Sequence, residues 1–258
     1  MGVDVAVYAR RGPRARSVID AALDLGLPYL LDLGNYTLDK SPYVHAVELD
    51  LELEAPPAAL VLPPAEDPYR PILVADLLNV NKVILPPPAT VDELTKTYEA
   101  AVEHGIEVVW LYGRPPLARP SDVEAVAEAV HPKAARIVYD VVTAKSNREI
   151  IKTLVSLQGY IKYMYLSNRR GPRGPRLPPF DPSGVINYSD VVQAALLLQW
   201  EGQYVLRVAP QYADKISLQA SILNEIGETY RNTGRASKKV QKMVAEVLNE
   251  LFAGSGLE

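Results

Sequence analysis

The sequence predicts an α/β protein built as one (β/α)8 barrel of the TIM type, with a helical extension at its C-terminal end. Three observations carry this expectation. Short apolar runs alternate with helical stretches almost to the end of the 258 residues, and they count to about eight strands. The runs are continuous, as in parallel strands buried on both faces. About eight strand–helix units in roughly 250 residues is the size of such a barrel. A doubly wound sheet is the alternative, but no G-x-G-x-x-G follows the first strand and no phosphate-binding P-loop motif occurs. Residues 1–258 read as a single barrel domain. Its final helix, about 236–254, is expected to pack on the barrel or to mediate a homodimer contact.

The elements follow in order. Residues 3–10 (VDVAVYAR) read as a buried strand, and 17–26 have helical spacing closed by glycine. A second strand covers 28–35. Residues 45–56 (HAVELDLELEAP) alternate apolar and acidic side chains, which predicts an exposed or edge extension. Strand, helix and strand follow at 58–64, 71–79 and 82–88. The clearest helix is 90–105, with a threonine cap, acids in its first turn and a His-Gly end. Strands at 106–116, 135–144, 160–168 and 203–210 alternate with helices at 121–132, 146–159 and 188–202. An amphipathic region from Ala213 to about Thr233 precedes the charged last helix.

Composition narrows the function classes. Net charge is −4, from 27 Lys+Arg against 31 Asp+Glu. This argues against a generic duplex-binding protein and leaves room for a local basic face. There is no cysteine, which excludes disulfides, thiolate chemistry and finger-type zinc sites. The three histidines, His45, His104 and His131, have no i, i+4 pairing. No apolar run approaches the ~18 residues of a membrane span, and the N-terminus lacks a signal-peptide pattern. A soluble, cytoplasmic protein without membrane partners is expected. Twenty-two prolines without cysteine suit a thermophile.

The basic face has candidate loops. ARRGPRAR (9–16) follows the first strand and NRRGPRGPR (168–176) follows the seventh, and each is a run of arginines with no acid. In a right-handed barrel both loops leave the C-terminal strand ends, where sites are built. Arg207 lies in the eighth strand. Nine of the 16 arginines (10, 11, 14, 16, 169, 170, 173, 176 and 207) are thereby expected in one sector. Guanidiniums bind phosphate and carboxylate in bidentate fashion. Arg10, Arg114, Arg169, Arg170 and Arg207 are therefore candidate ligands for an anionic, phosphorylated small molecule. The alternative is solvated surface charge. Tyr8, Tyr112 and Tyr165, at three strand ends, read either as aromatic walls of the site or as capping of the core.

The order of phrases from about Ile106 to Pro210 resembles the xylose-isomerase-like barrel superfamily, which includes sugar isomerases and epimerases and the endonuclease IV type of apurinic endonuclease. IEVVWLYGRP (106–115) is similar to a family strand ending in Glu, IVYDVVTA (137–144) to its Asp-x-x-His strand end, and YIKYMYLSN (160–168) to its His-x-x-Asp strand. PSGVINYSDVVQAALLLQWEGQYVLRV (182–208) resembles its glycine-rich turn, helix and final strand. The resemblance implies a divalent metal held by Glu, Asp, His and Glu from four strand ends. Here those positions fall on Trp110 or Leu111, on Asp140, on Thr143 and Tyr165 for the histidines, on Asn168, and on or beside Arg207. One ligand of four remains, so neither metal nor other cofactor is expected. The resemblance makes Asp140 and Tyr165 the candidate catalytic groups and adds Asn168 to the anion-binding set. Three readings stay open: a metal-free sugar-phosphate isomerase/epimerase-like or lyase-like enzyme, a non-catalytic binder or scaffold, and a nucleic-acid-binding barrel, the last disfavoured by net acidity.

Overall fold

The computed structural model describes residues 3–53, 55–65, 67–171 and 174–254. Arg173 of the second arginine loop lies outside the described residues. The barrel strands are β1 (Val5–Arg10), β2 (Tyr29–Asp32), β3 (Ala59–Val61), β4 (Lys82–Leu85), β5 (Glu107–Leu111), β6 (Ile137–Asp140) and β7 (Ile161–Leu166). After a two-stranded hairpin of β8 (Asn168–Arg169) and β9 (Arg176–Leu177) comes β10 (Gln203–Leu206). Among the described residues eight strands close a parallel barrel, in the order β1-β10-β7-β6-β5-β4-β3-β2. The chain divides into two compact units, Ala6–Tyr139 and Met1–Val5 with Asp140–Glu258.

The first of these units carries α1 (Ala15–Asp24), α2 (Pro42–Asp50), α3 (Arg70–Leu77), α4 (Val91–Glu103) and α5 (Pro120–Ala129). Its strands are buried at Ala6, Val7, Leu30, Ala59, Leu60, Val83, Ile84 and Val109, which explains the continuous apolar runs. Thr90 caps α4 as its sequence predicts, and Glu93 completes a capping box in which the two bond each other's backbone N–H, a device worth about 1 kcal/mol.

Residues 45–56 depart from expectation. Instead of an edge extension, Pro42–Asp50 is helix α2. Ser41 caps it by accepting from the Val44 N–H at 3.4 Å, and His45, Ala46 and Leu49 turn inward. His45 and Leu49 are one helical turn apart, so burial of that face against α3 overrides the period-two pattern. The opposite face leaves Tyr43, Val47 and Leu51 exposed.

The other unit carries α6 (Asn147–Leu157), α7 (Tyr188–Leu197), α8 (Ile216–Thr233) and α9 (Lys238–Gly254). The apolar stripe of the last helix is buried within the chain: Val240, Val244 and Val247 pack with Ile151 of α6 and Ala194 of α7. The strand expected over 135–144 is shorter. It ends at Asp140, and Val141–Thr143 form a 3-10 turn in which the Thr143 hydroxyl donates to the Asp140 carbonyl at 2.7 Å. Among the described residues no helix is long and apolar enough to cross a membrane.

Candidate functional site

The two arginine loops repeat in conformation as well as in sequence. Gly12 has φ +154° and Gly171 φ +150°, a region that side chains disfavour. The N–H of Ala15 bonds Gly12 O at 2.9 Å, and that of Gly174 bonds Gly171 O at 3.2 Å. In each loop the glycine carbonyl thus accepts from the N–H three residues further on.

In the C-terminal unit the charges converge on Asp140. Arg207 NH1 donates to Asp140 Oδ2 at 2.7 Å, and Arg176 NH2 donates to the same oxygen at 3.0 Å. Arg176 NH1 donates to Ser167 Oγ at 2.6 Å. The Arg207 guanidinium lies 5.5 Å from the centre of the Tyr165 ring, within cation–π range. Asp140 Oδ1 is buried and has no hydrogen-bond partner among the described residues. One carboxylate oxygen thus receives two guanidiniums, while its other oxygen faces the same cluster.

The strand ends build this cluster. β10 runs in register with β7, Val205 opposite Tyr165, which carries Arg207 beyond the strand end. The hairpin sets Arg169 opposite Arg176 and so returns the chain to Ser167. Of the expected site residues, Asp140, Tyr165 and Arg207 come together. Arg169 donates to the Ala144 carbonyl at 3.3 Å, and Arg170 to Ser183 Oγ at 3.1 Å. Asn168 is buried and braces the loop: its amide donates to the Pro179 and Ile186 carbonyls and accepts from the Arg169 and Ile186 N–H groups. Arg176 was visible only as one of the loop arginines. Ser167 carried no signal.

In the Ala6–Tyr139 unit, Arg10 is more than half exposed and lies 3.7 Å from Asp32. Asp32 Oδ2 also accepts from the Tyr8 hydroxyl, and its Oδ1 accepts from the Gly34 N–H at 2.8 Å. Asp140 was marked by its place in a family strand end; Asp32 also ends an apolar run but lies outside the stretch that carries the resemblance. Arg114 is exposed in the turn closed by Leu117 N–H on its carbonyl at 2.7 Å.

The residues at the positions that the resemblance assigns to metal ligands do not fit a divalent ion. Trp110 is buried and donates its indole N–H to the Ala134 carbonyl at 2.9 Å. Asp140 carries two guanidiniums, which repel a cation. Among the described residues no group of three or more His, Asp or Glu is arranged to hold a metal.

No protein-family model matches this sequence, and no curated protein matches it either. Solved structures do. A xylose isomerase domain protein from Planctomyces limnophilus superposes with a TM-score of 0.63 at 12% identity, over 90% of this chain and 100% of its own. A protein assigned as a sugar phosphate isomerase/epimerase from Anabaena variabilis gives 0.53 at 12% identity over 94% and 100%. One assigned as a xylose isomerase from Rhodospirillum rubrum gives 0.55 at 11% identity over 87% and 97%. The chain shares the closed parallel-barrel fold of these structures.

Proposed function

We propose that this protein binds an anionic, phosphorylated sugar at the strand ends around Asp140, without the divalent metal of the barrels it resembles. The observation that carries the reading is the Arg176–Asp140–Arg207 cluster. Arg207 falls on or beside a position where the resemblance implies a metal ligand, and on this reading side chains supply the positive charge. The anionic group engages the outer edges of Arg207 and Arg176 through charge-assisted hydrogen bonds. A sugar hydroxyl donates to Asp140 Oδ1, the buried acceptor that lacks a partner among the described residues. The Tyr165 ring backs the Arg207 guanidinium and fixes its plane.

The test is calorimetric titration with aldose and ketose phosphates, the parent sugars and short single-stranded DNA and RNA, at low and high salt. A sugar phosphate should bind tighter than its parent sugar, with a shallow salt dependence fitting one phosphate. Arg207→Ala and Arg176→Ala should each weaken binding about tenfold or more. Elemental analysis accompanies the titration. Metal bound one per chain and lost in Asp140→Ala, or no phosphate preference in the wild type, refutes the proposal. A steep salt dependence with DNA or RNA transfers the cluster to nucleic-acid binding. Product analysis of the bound sugar phosphates separates an isomerase-like enzyme from a binder.

A further inference from the structure

His45 stands at the centre of a set of polar and charged side chains within the Ala6–Tyr139 unit. Its ring is buried on the inner face of α2. Nε2 accepts the backbone N–H of Lys40 at 2.8 Å. A neutral imidazole has one donor and one acceptor nitrogen, so the proton of the neutral ring sits on Nδ1. Nδ1 donates to the Tyr36 hydroxyl at 2.7 Å, and that hydroxyl donates to Glu48 Oε2 at 3.0 Å. The donors of this chain all run in one direction, from the turn at Lys40 through the ring to the carboxylate. The Lys40 ammonium pairs with the other oxygen, Glu48 Oε1.

A protonated ring does not fit the same turn. Both nitrogens of an imidazolium are donors, so an Nε2–H would meet the Lys40 N–H, donor against donor. An acceptor stands close by. Asp39 is exposed, and its Oδ1 lies 3.9 Å from Nε2, just outside hydrogen-bond distance. The turn is anchored on both sides. Leu38 is buried and its carbonyl accepts from Arg70 NH1 of α3 at 2.6 Å, while Ser41 caps α2. Only Asp39 and Lys40 lie between these anchors. Rotation of the peptide that joins them withdraws the Lys40 N–H from Nε2 and lets Asp39 approach it.

The charges around the ring come from every element that meets it. Asp39 of the turn and Glu48 of α2 favour a proton on His45, and Lys40 and Arg70 oppose it. Arg11 and Glu52 act one step further out, through Tyr36: the Arg11 guanidinium lies 4.8 Å from the centre of the Tyr36 ring and is held by Glu52.

We infer that the Asp39–Lys40 turn is a proton-operated switch: neutral His45 holds it through the Lys40 N–H, and uptake of one proton from water at Nε2 breaks that bond and passes the ring to the Asp39 carboxylate. The turn ends at Ser41, so its state is passed to the entry of α2. Burial lowers the His45 pKa below its ordinary 6.5, which puts the exchange on the acid side of that value. The inference does not rest on the sugar-phosphate reading.

The test is nuclear magnetic resonance of the isotope-labelled full chain from pH 8 to 5, with hydrogen exchange corrected for the intrinsic pH dependence of the rate. Neutral His45 should be the Nδ1–H tautomer. The Lys40 amide should be protected at pH 8 and lose protection with the same midpoint as the His45 ring. The amides of the buried Ala100 and Ala101 of α4 should keep their protection over that range, which separates the switch from acid unfolding. Asp39→Asn, on an exposed side chain, should lower the proton affinity of His45 about two- to fivefold, the worth of an exposed ion pair. His45→Gln should make protection of the Lys40 amide independent of pH. The proposal is overturned by an Nε2–H tautomer at neutral pH, by loss of protection at Lys40 and in α4 together, or by an unchanged His45 midpoint in Asp39→Asn. If His45→Gln does not fold, the wild-type and Asp39→Asn titrations decide alone.

Discussion

Arg207 and Asp140, 67 positions apart in sequence, meet at 2.7 Å through NH1 and Oδ2, and Arg176 joins the same oxygen from the hairpin at 3.0 Å. Both members of the closer pair are largely buried, with side-chain exposures of 24% and 21%. The pair therefore couples more strongly than a surface ion pair. A double-mutant cycle of Arg207→Met and Asp140→Asn, read by urea denaturation, should give a coupling of about 1–2 kcal/mol. The same cycle with Arg176→Met should give less, because Arg176 is 37% exposed and solvent screens its charge. Equal couplings would mean that the cluster is held by charge alone and not by the Arg207 geometry.

Gly184 allows the second arginine loop to close. A Cβ there would stand 2.1 Å from Asn168 Cγ, and Asn168 is the buried brace of that loop. Gly184→Ala should cost about 1–3 kcal/mol by overpacking. It should also weaken sugar-phosphate binding, because the displaced brace loosens the hairpin that carries Arg176. Unchanged stability in this variant would show that the brace yields freely.

His45 makes stability depend on pH. Its ring is buried, Nε2 accepts the Lys40 backbone N–H at 2.8 Å, and Nδ1 meets the Tyr36 hydroxyl at 2.7 Å. Tyr36 also bonds Glu48 at 3.0 Å, and Asp39 lies 3.9 Å from the ring. Burial lowers the His45 pKa below its ordinary 6.5, against the opposing pull of Asp39 and Glu48. The folded state thus takes up a proton less readily than the unfolded chain. The stabilisation is fully present above about pH 6.5 and declines as pH falls below that value. Urea midpoints measured from pH 8 to 5 should fall on the acid side, and His45→Gln should flatten that part of the profile. An unaltered profile in His45→Gln would assign the slope to carboxylates.

The last helix contributes to the fold of its own chain. Val244 is buried against α6 and α7, so Val244→Ala should cost about 1–3 kcal/mol and leave the molecular mass in solution unchanged. A change of mass at constant melting temperature would instead mark α9 as a contact between copies.

The rhythm of strands and helices was legible because burial on both faces leaves continuous apolar runs such as VAVYA in β1, and because caps such as Thr90 with Glu93 act within one turn. Two things were not. The acid–apolar alternation of 45–56 fits an extended chain as a local pattern, and only packing on α3 with the Ser41 cap makes it helix α2. Among the loop arginines, sequence could not say which reaches Asp140. The β8–β9 hairpin register and the end of β10 select Arg176 and Arg207, while Arg169 and Arg170 turn to the Ala144 carbonyl and Ser183. Composition and spacing fix what a segment can become. Which side chains meet depends on contacts between residues far apart in sequence, and only the closed fold supplies these.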